Sequence, residues 1–496
     1  MDLQLVPLLA ILTSLAAVPF ILLSDKKPNL RESWTIIAAV VKFLLVLTLI
    51  PGALEGKTVA LELFELAPGL PLLIKADPLG VYFATIASGL WIFTSFYSIG
   101  YVRGAGEHKQ TRYFASFAIC LSSTIGIAFS GNLLTFIVFY EMLTLATYPL
   151  VIHKETPKAI AASRKYLTYT LTAGLLLIAA TAMTYIYTGS IEFVPGGVFG
   201  DTQLSPLLMA VIFILFLGGV GVKAGIMPIH SWLPAAMAAP TPVSALLHAV
   251  AVVKSGVFAV IRIVGYVFGT DVLAAYGLNE ILIVLAGTTI IVASLMAFAQ
   301  DNLKRRLAYS TVGHLSYIVL GVALLTPLGM QGGIMHIAAH ATMKITLFFC
   351  AGAIYVNLHK ENISQLNGIA KVMPWTMAAF TIGSLGLAGI PPVNGFLSKW
   401  FLAMGSLQGD VTIALIILVV SGLLNVGYFF PIIQRAYFRK GGEELDHHGE
   451  ASPFMVVPIM VTASLSVIFG IFPNLFFGFF DLAASIAQTL FTGGGL

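Results

Sequence analysis

The chain has 496 residues, 58% of them hydrophobic and only 10% charged, with a mean hydropathy of +0.94. A soluble domain carries about 25% charged residues, so this sequence cannot cover a water-facing surface and reads as an all-α polytopic membrane protein. The net charge of +4 contains no basic run suited to a phosphate backbone, which excludes nucleic acid as a partner; the two cysteines, Cys120 and Cys350, lie in apolar segments and indicate neither a disulfide framework nor thiolate metal ligation.

A window of about 20 residues predicts about 14 transmembrane helices. In chain order they run approximately Leu3 to Leu23, Trp34 to Ala53, Pro78 to Ile99, Tyr113 to Ser130, Asn132 to Ile152, Tyr166 to Tyr187 and Leu207 to Met237. The second seven run Val243 to Val267, Leu278 to Phe298, Leu307 to Leu325, Gln331 to Leu358, Pro374 to Met404, Val411 to Phe438 and Pro453 to Phe472. The first reads as a span rather than a cleaved leader, because it lacks a basic start and ends in LLSDKK without a small-residue cleavage site.

Lysines and arginines divide unevenly between alternate loops. One set holds 18 of the 26: Lys26, Lys27 and Arg31; Arg103, Lys109 and Arg112; Lys154, Lys158, Arg164 and Lys165; Lys304, Arg305 and Arg306; Lys360 and Lys371; and Arg435, Arg439 and Lys440. The opposite set holds Lys57, Lys75 and Arg262. Basic residues are retained in cytoplasmic loops, so the pattern predicts a cell-membrane, multi-pass protein with both termini outside.

Two spans are overlong and interrupted by proline. The seventh contains Pro228 and Pro234, the twelfth the run GIPPVNGF with Pro391 and Pro392, and proline removes a helical hydrogen bond and clashes with the preceding turn. Ordinary kinks are one explanation. The other is two discontinuous helices five spans apart, which makes a five-helix unit repeat with inverted topology, an architecture that places a site beside the breaks. The division is then 1–112 for helices 1 to 3, 113–270 for the first repeat, 271–440 for the inverted second repeat, and 441–496 for a loop, helix 14 and a tail.

Five lysines, Lys42, Lys223, Lys254, Lys344 and Lys399, fall inside spans. At about 3 kcal/mol each on insertion scales, they would cost about 15 kcal/mol if left unpaired in lipid, so they must meet partners or water. Glu141 is the one acid clearly at mid-membrane, and Lys223 in the broken seventh span is its expected counter-charge. If each holds the other ionised, the pair can work as a proton switch; a static ion pair is the alternative. His248 and Lys254 are six residues apart on the eighth span, about 9 Å of helix rise, suited to a relay through one or two waters. On the eleventh span the run HIAAHATMK puts His336, His340 and Lys344 at i, i+4 and i+8 on one stripe. That stripe lacks the glutamate and third ligand of an HExxH zinc site. Lys399 follows the second break and is the expected far end of the series. His314 and His230 are lesser candidates for proton transfer. Lys42 has no partner recognisable from sequence and is read as snorkelling or meeting another subunit. His447 and His448 belong to a charged, solvated loop.

The segment SWLPAAMAAPTPVSALLHAVAVVKSGVFAVIR, the glutamate of span five, the HxxxHxxxK of span eleven and the GIPPVNGFLSKW of span twelve resemble the proton-conducting antiporter family. That family comprises Mrp-type sodium/proton antiporter subunits, antiporter-like subunits of respiratory complex I, and their counterparts in membrane-bound hydrogenases. The resemblance covers nearly the whole chain. It implies a 14-span fold in which Glu141 pairs with Lys223, Lys254 links to the centre, and His336, His340, Lys344 and Lys399 continue a hydrated path along the midplane.

Within the family, a chain that stops soon after span 14 and carries lysine at Lys399 is similar to the D-type Mrp subunits or to a hydrogenase-type equivalent. The resemblance implies a subunit that moves protons, or exchanges protons for sodium, within a larger membrane assembly in the lipid bilayer. The alternative is a pump in a redox-driven complex. No CxxC cluster, nucleotide loop or haem-type histidine pair is found, so the chain is expected to carry no cofactor and no metal, and redox chemistry would belong to partner subunits. Two rival classes are a free-standing solute transporter and a quinone-binding electron-transfer subunit.

Overall fold

The computed structural model describes residues 3–200, 202–442, 445 and 448–492, so His447 lies outside the described residues. Long helices dominate, and local signals explain where they start. Asp77, Asn132, Thr156, Asn302 and Thr326 each accept a hydrogen bond from the backbone N–H three residues on, satisfying a donor that a helix start leaves free. Pro78, Pro157 and Pro327 follow three of these caps, where a missing N–H costs nothing.

Among the described residues, 11 helices are long and apolar enough by composition to cross a membrane. Gln110–Ala128, Leu303–Ala323 and the pair Pro374–Ala388 and Asn394–Gln408 pack among them. Position in the bundle follows burial rather than hydropathy. The apolar windows of Thr241–Phe268 and Pro327–Leu358 are 100% buried, against 33% for Thr412–Phe438 and Pro453–Ile471, so the eighth and eleventh helices form the centre and the last two the rim.

Both expected breaks are present. Pro206–Ala224 ends at Gly225 in a left-handed conformation (φ +70°), and the chain resumes as short helical turns from Trp232. Pro374–Ala388 ends the same way at Gly389 (φ +90°), and helix resumes at Asn394. A residue with φ near these values is comfortable only without a Cβ, so each half-helix stops on the glycine that precedes its prolines. The two breaks thus fall in the two spans that proline interrupts in the sequence.

Several features differ from the sequence reading. Val59–Ala67 and Leu70–Ala76 form an antiparallel hairpin, pairing Val59 with Ala76 and Ala67 with Leu70, because alternating Leu and Glu suit a strand and Pro68-Gly69 closes a two-residue loop. The sixth helix begins at Pro157, nine residues before the expected Tyr166, because Thr156 caps it. A further helix, Phe479–Thr492, packs its apolar face inward where only a tail was expected.

Two cations are also placed differently. Arg262, read as a loop charge, is buried in the eighth helix, where its Nη2 donates to Asp77 Oδ1 at 2.7 Å and its Nη1 to Asp77 Oδ2. Asp77 also caps the third helix, so one carboxylate fastens the third helix to the eighth; removing either partner of such a buried pair costs about 3 to 5 kcal/mol. Lys42 does not snorkel. It is fully buried, donates to Ser14 Oγ at 2.6 Å, and lies 5.3 Å from the Trp91 ring centroid.

Candidate functional site

Glu141 stands mid-way along Leu133–Val151, and Lys223 occupies the last turn of the half-helix Pro206–Ala224, whose negative end favours an ammonium group. Lys223 Nζ donates to the Tyr140 carbonyl at 2.5 Å and lies 3.3 Å from the Tyr140 ring centroid. The expected direct ion pair is not formed: no contact within ion-pair distance joins Glu141 to Lys223 among the described residues. Both Glu141 oxygens are buried without a hydrogen-bond partner.

The eighth helix crosses directly behind Lys223. A Cβ on Gly256 would fall 2.2 Å from the Ala224 nitrogen, so the absence of a side chain there lets the helix of Lys254 approach the break. Lys254 is fully buried, and its ammonium has no hydrogen-bond partner. His248 sits in a π-helical turn, Leu246–Val250, a distortion common at functional positions. Its ring is 4.9 Å from that of Phe348, and neither nitrogen is hydrogen-bonded. The two expected relay partners are thus both present on the buried helix but not bonded to one another.

On the eleventh helix, Pro327–Leu358, the stripe divides into different roles. His336 is bonded at both nitrogens: Nε2 lies 3.2 Å from His314 Nδ1 and Nδ1 lies 2.9 Å from Ser398 Oγ. His340 has no bonded nitrogen, and its ring is 5.6 Å from that of His314. Lys344 donates to Ser310 Oγ at 2.8 Å.

Lys399 Nζ donates to the carbonyls of Leu387 at 2.6 Å and Ala388 at 3.2 Å, the last residues of the half-helix Pro374–Ala388. Lys399 therefore holds its ammonium at the negative end of a half-helix, whereas Lys223, whose backbone lies in the last turn of its own half-helix, turns its ammonium to a carbonyl in the middle of Leu133–Val151. Two polar chains run towards the second break, and one of them reaches the carbonyl that holds Lys399. One runs from His314 through His336 to Ser398, its neighbour in sequence. The other runs from Lys344 to Ser310, whose hydroxyl oxygen lies 2.8 Å from that of Tyr428; Tyr428 donates to Asn425 Oδ1, and Asn425 Nδ2 donates to the same Leu387 carbonyl at 3.2 Å.

Ser310, Asn425, Tyr428 and Ser398 do not stand out in the sequence, and His314 holds a more central place than its rank as a lesser candidate implies. A hydroxyl or amide in an apolar span is too common to be conspicuous; Ser310 and His314, four residues apart on one helix face, are the pair that pattern alone could have raised. His230 lies beside the first break, its ring 6.3 Å from that of Tyr309 and outside both chains. Ser231, Pro234 and Tyr309 line a cavity of about 680 Å³ that opens at the face of the basic loops, with Lys158, Lys304 and Glu361 around its rim.

Two discontinuous helices, with a row of buried ammonium, imidazole and carboxylate groups between them, define a polytopic membrane protein with a polar interior. Residues 130–425, more than half of the chain, match the family described as NADH:quinone oxidoreductase/Mrp antiporter, TM, and the chain belongs to that family. It is 32% identical to NADH-quinone oxidoreductase subunit N of Desulforudis audaxviator over 410 residues, 78% of this chain and 81% of that protein. The D subunit of the Na(+)/H(+) antiporter of Alkalihalophilus pseudofirmus is 26% identical over 468 residues, 93% of each chain. A chain in the structure of the Mrp complex from Dietzia sp. has the same fold, with a TM-score of 0.89 at 22% identity over 99% of this chain and 98% of that one.

Proposed function

We propose that this chain is an ion-translocating subunit of a multi-subunit membrane complex, similar to the D-type Mrp subunits, and that it moves protons, in Na+/H+ antiport where sodium is the counter-ion. The path runs from Glu141 and Lys223, past Lys254, His248 and His340, to His336, Lys344 and Lys399. The observation that carries this reading is the middle of that row. Lys254, His248 and His340 are buried with no bonded side-chain nitrogen, between two lysines beside the helix breaks, Lys223 anchored on the Tyr140 carbonyl and Lys399 on the Leu387 carbonyl. Buried polar groups of this kind are satisfied by internal water, and a line of them with exchangeable protons is a proton relay.

The two five-helix units, 113–270 and 271–440, each contribute one break and one anchored lysine, with 1–112 and 441–496 flanking them. The basic loops are assigned to the cytoplasmic side and both termini to the outside, by the retention of Lys and Arg in cytoplasmic loops. A single cysteine in the loop from Lys154 to Lys165 is then labelled by an impermeant thiol reagent only from the cytoplasm. Labelling from outside reverses the orientation.

Lys254→Arg tests the relay. Arginine keeps the charge but does not release its proton, so proton flux through the native complex in sealed vesicles should fall about tenfold at matched protein level. Undiminished flux removes Lys254 from the path. A second reading, a pump in a redox-driven complex, is favoured by the 32% identity to an NADH-quinone oxidoreductase subunit. The subunits that co-purify with the chain decide between the two: Mrp-type membrane subunits alone support antiport, and iron-sulfur or nickel-iron subunits support the redox pump.

A further inference from the structure

On the face of the basic loops, the turn that follows Pro78–Gly104 meets the end of Leu133–Val151. Glu107 and His108 come from the turn, His153 and Glu155 from the helix end. His153 is buried to 0% exposure, and neither of its ring nitrogens has a hydrogen-bond partner. Burying an imidazole without a partner is costly, and here the ring is aimed at acceptors it does not bond: its Nε2 lies 3.7 Å from Glu107 Oε2, too far for a hydrogen bond. The exposed His108 ring stands 5.1 Å from the His153 ring, centroid to centroid. One donor atom from each of Glu107, His108 and His153 can be chosen so that all three lie within 4.8 Å of one another.

We propose that Glu107, His108 and His153 form a binding site for a divalent transition metal of the zinc class, a site separate from the buried row of lysines and histidines. Two imidazoles and one carboxylate make a nitrogen-rich set that suits zinc, whereas calcium and magnesium take oxygen donors almost exclusively. Zinc bonds of about 2.0 to 2.2 Å set neighbouring donors about 3.4 Å apart, so the present spacing must contract by about 1 Å. Rotation of His108, whose side chain is free in solvent, supplies most of that movement. The fourth position of a tetrahedral metal opens to water at the surface.

The surrounding charges fit this division of labour. Glu155 is held by Lys109 Nζ at 2.7 Å and Arg112 Nη1 at 2.8 Å, and these hydrogen bonds keep its carboxyl down at about 2. It is therefore engaged by the two cations beside the site rather than serving as a ligand, and stays 3.8 Å from His108 Nε2 as that ring's outer partner. No other group among the described residues engages either nitrogen of the buried His153 ring, which leaves it open to a metal. Occupation of the site would tie the end of Glu141's helix to the turn between the third and fourth helices.

The test is zinc titration of the chain in its native membrane complex after chelator stripping, with wild type compared with variants so that zinc held by other subunits cancels. Wild type should bind one zinc per chain beyond His153→Gln. The exposed His108→Ala and the partly exposed Glu107→Gln, which leave the buried core untouched, should each weaken that binding at least about tenfold. If His153→Gln fails to assemble, those two variants carry the test alone. No saturable zinc difference between wild type and variants, or wild-type affinity in either His108→Ala or Glu107→Gln, overturns the site.

Discussion

Glu141→Gln is expected to lower proton flux through the native complex by about a hundredfold or more, while the amount of assembled complex stays unchanged. The amide has the shape of the carboxyl, and shape matters at this position: a Cβ on Gly174 would lie 2.6 Å from Glu141 Oε1, so the side chain rests against bare backbone with no room for a larger group. What the substitution removes is the exchangeable proton and the negative charge. Lys223 keeps its bond to the Tyr140 carbonyl and its place over the Tyr140 ring, so the ammonium remains anchored but loses the acid whose ionisation it senses. Because the two groups do not form a direct ion pair, little static stabilisation is lost, and a large drop in flux with normal assembly separates a switch from a structural contact. Flux in sealed vesicles and complex abundance on native gels are the two measurements. Wild-type flux at normal abundance would sink Glu141 as part of the path.

Lys399→Ala should likewise reduce flux by about a hundredfold or more, whereas Lys399→Glu should retain part of it. The ammonium is held by the Leu387 and Ala388 carbonyls, and the polar chain from Lys344 reaches the same Leu387 carbonyl through Asn425. Alanine leaves those carbonyls without their cation and cuts the series at its end. A protonated glutamic acid can donate to the same Leu387 carbonyl and can exchange its proton with water, so it restores a step of the relay through a neutral rather than a cationic donor. A lysine that merely caps a half-helix predicts the reverse order. In that case alanine is the milder change, because glutamate would set an acid against the negative end of a helix dipole. Flux measured on both variants at matched protein level distinguishes the two, and wild-type flux in Lys399→Ala would leave the His336, His340 and Lys344 stripe as the outlet.

Much of the site is legible in the sequence because lipid makes ionisable residues conspicuous. Lys223, Lys254, Lys344 and Lys399 stand out in apolar runs, and the spacing of His336, His340 and Lys344 survives folding because a helix preserves its own periodicity. What spacing cannot convey is which way each group turns once helices from distant parts of the chain meet. Glu141 and Lys223 are expected to touch and do not, because Lys223 bends to the carbonyl of the residue next to Glu141. Lys42 is expected to reach for the surface and instead points at Ser14, 28 residues earlier. His314 gains its place from His336 on another helix.

Composition, apolar periodicity and the positions of proline determined the class of protein, the order of its long helices and the two breaks, because each of those depends on residues close in sequence and on the cost of placing polar backbone in lipid. The burial of Arg262 against Asp77, the meeting of Lys399 and Asn425 at the Leu387 carbonyl, the central place of the eighth and eleventh helices, and the meeting of His153 with Glu107 were decided by tertiary structure alone. In each, the partners lie tens to hundreds of residues apart, and only the packing of whole helices brings their side chains together.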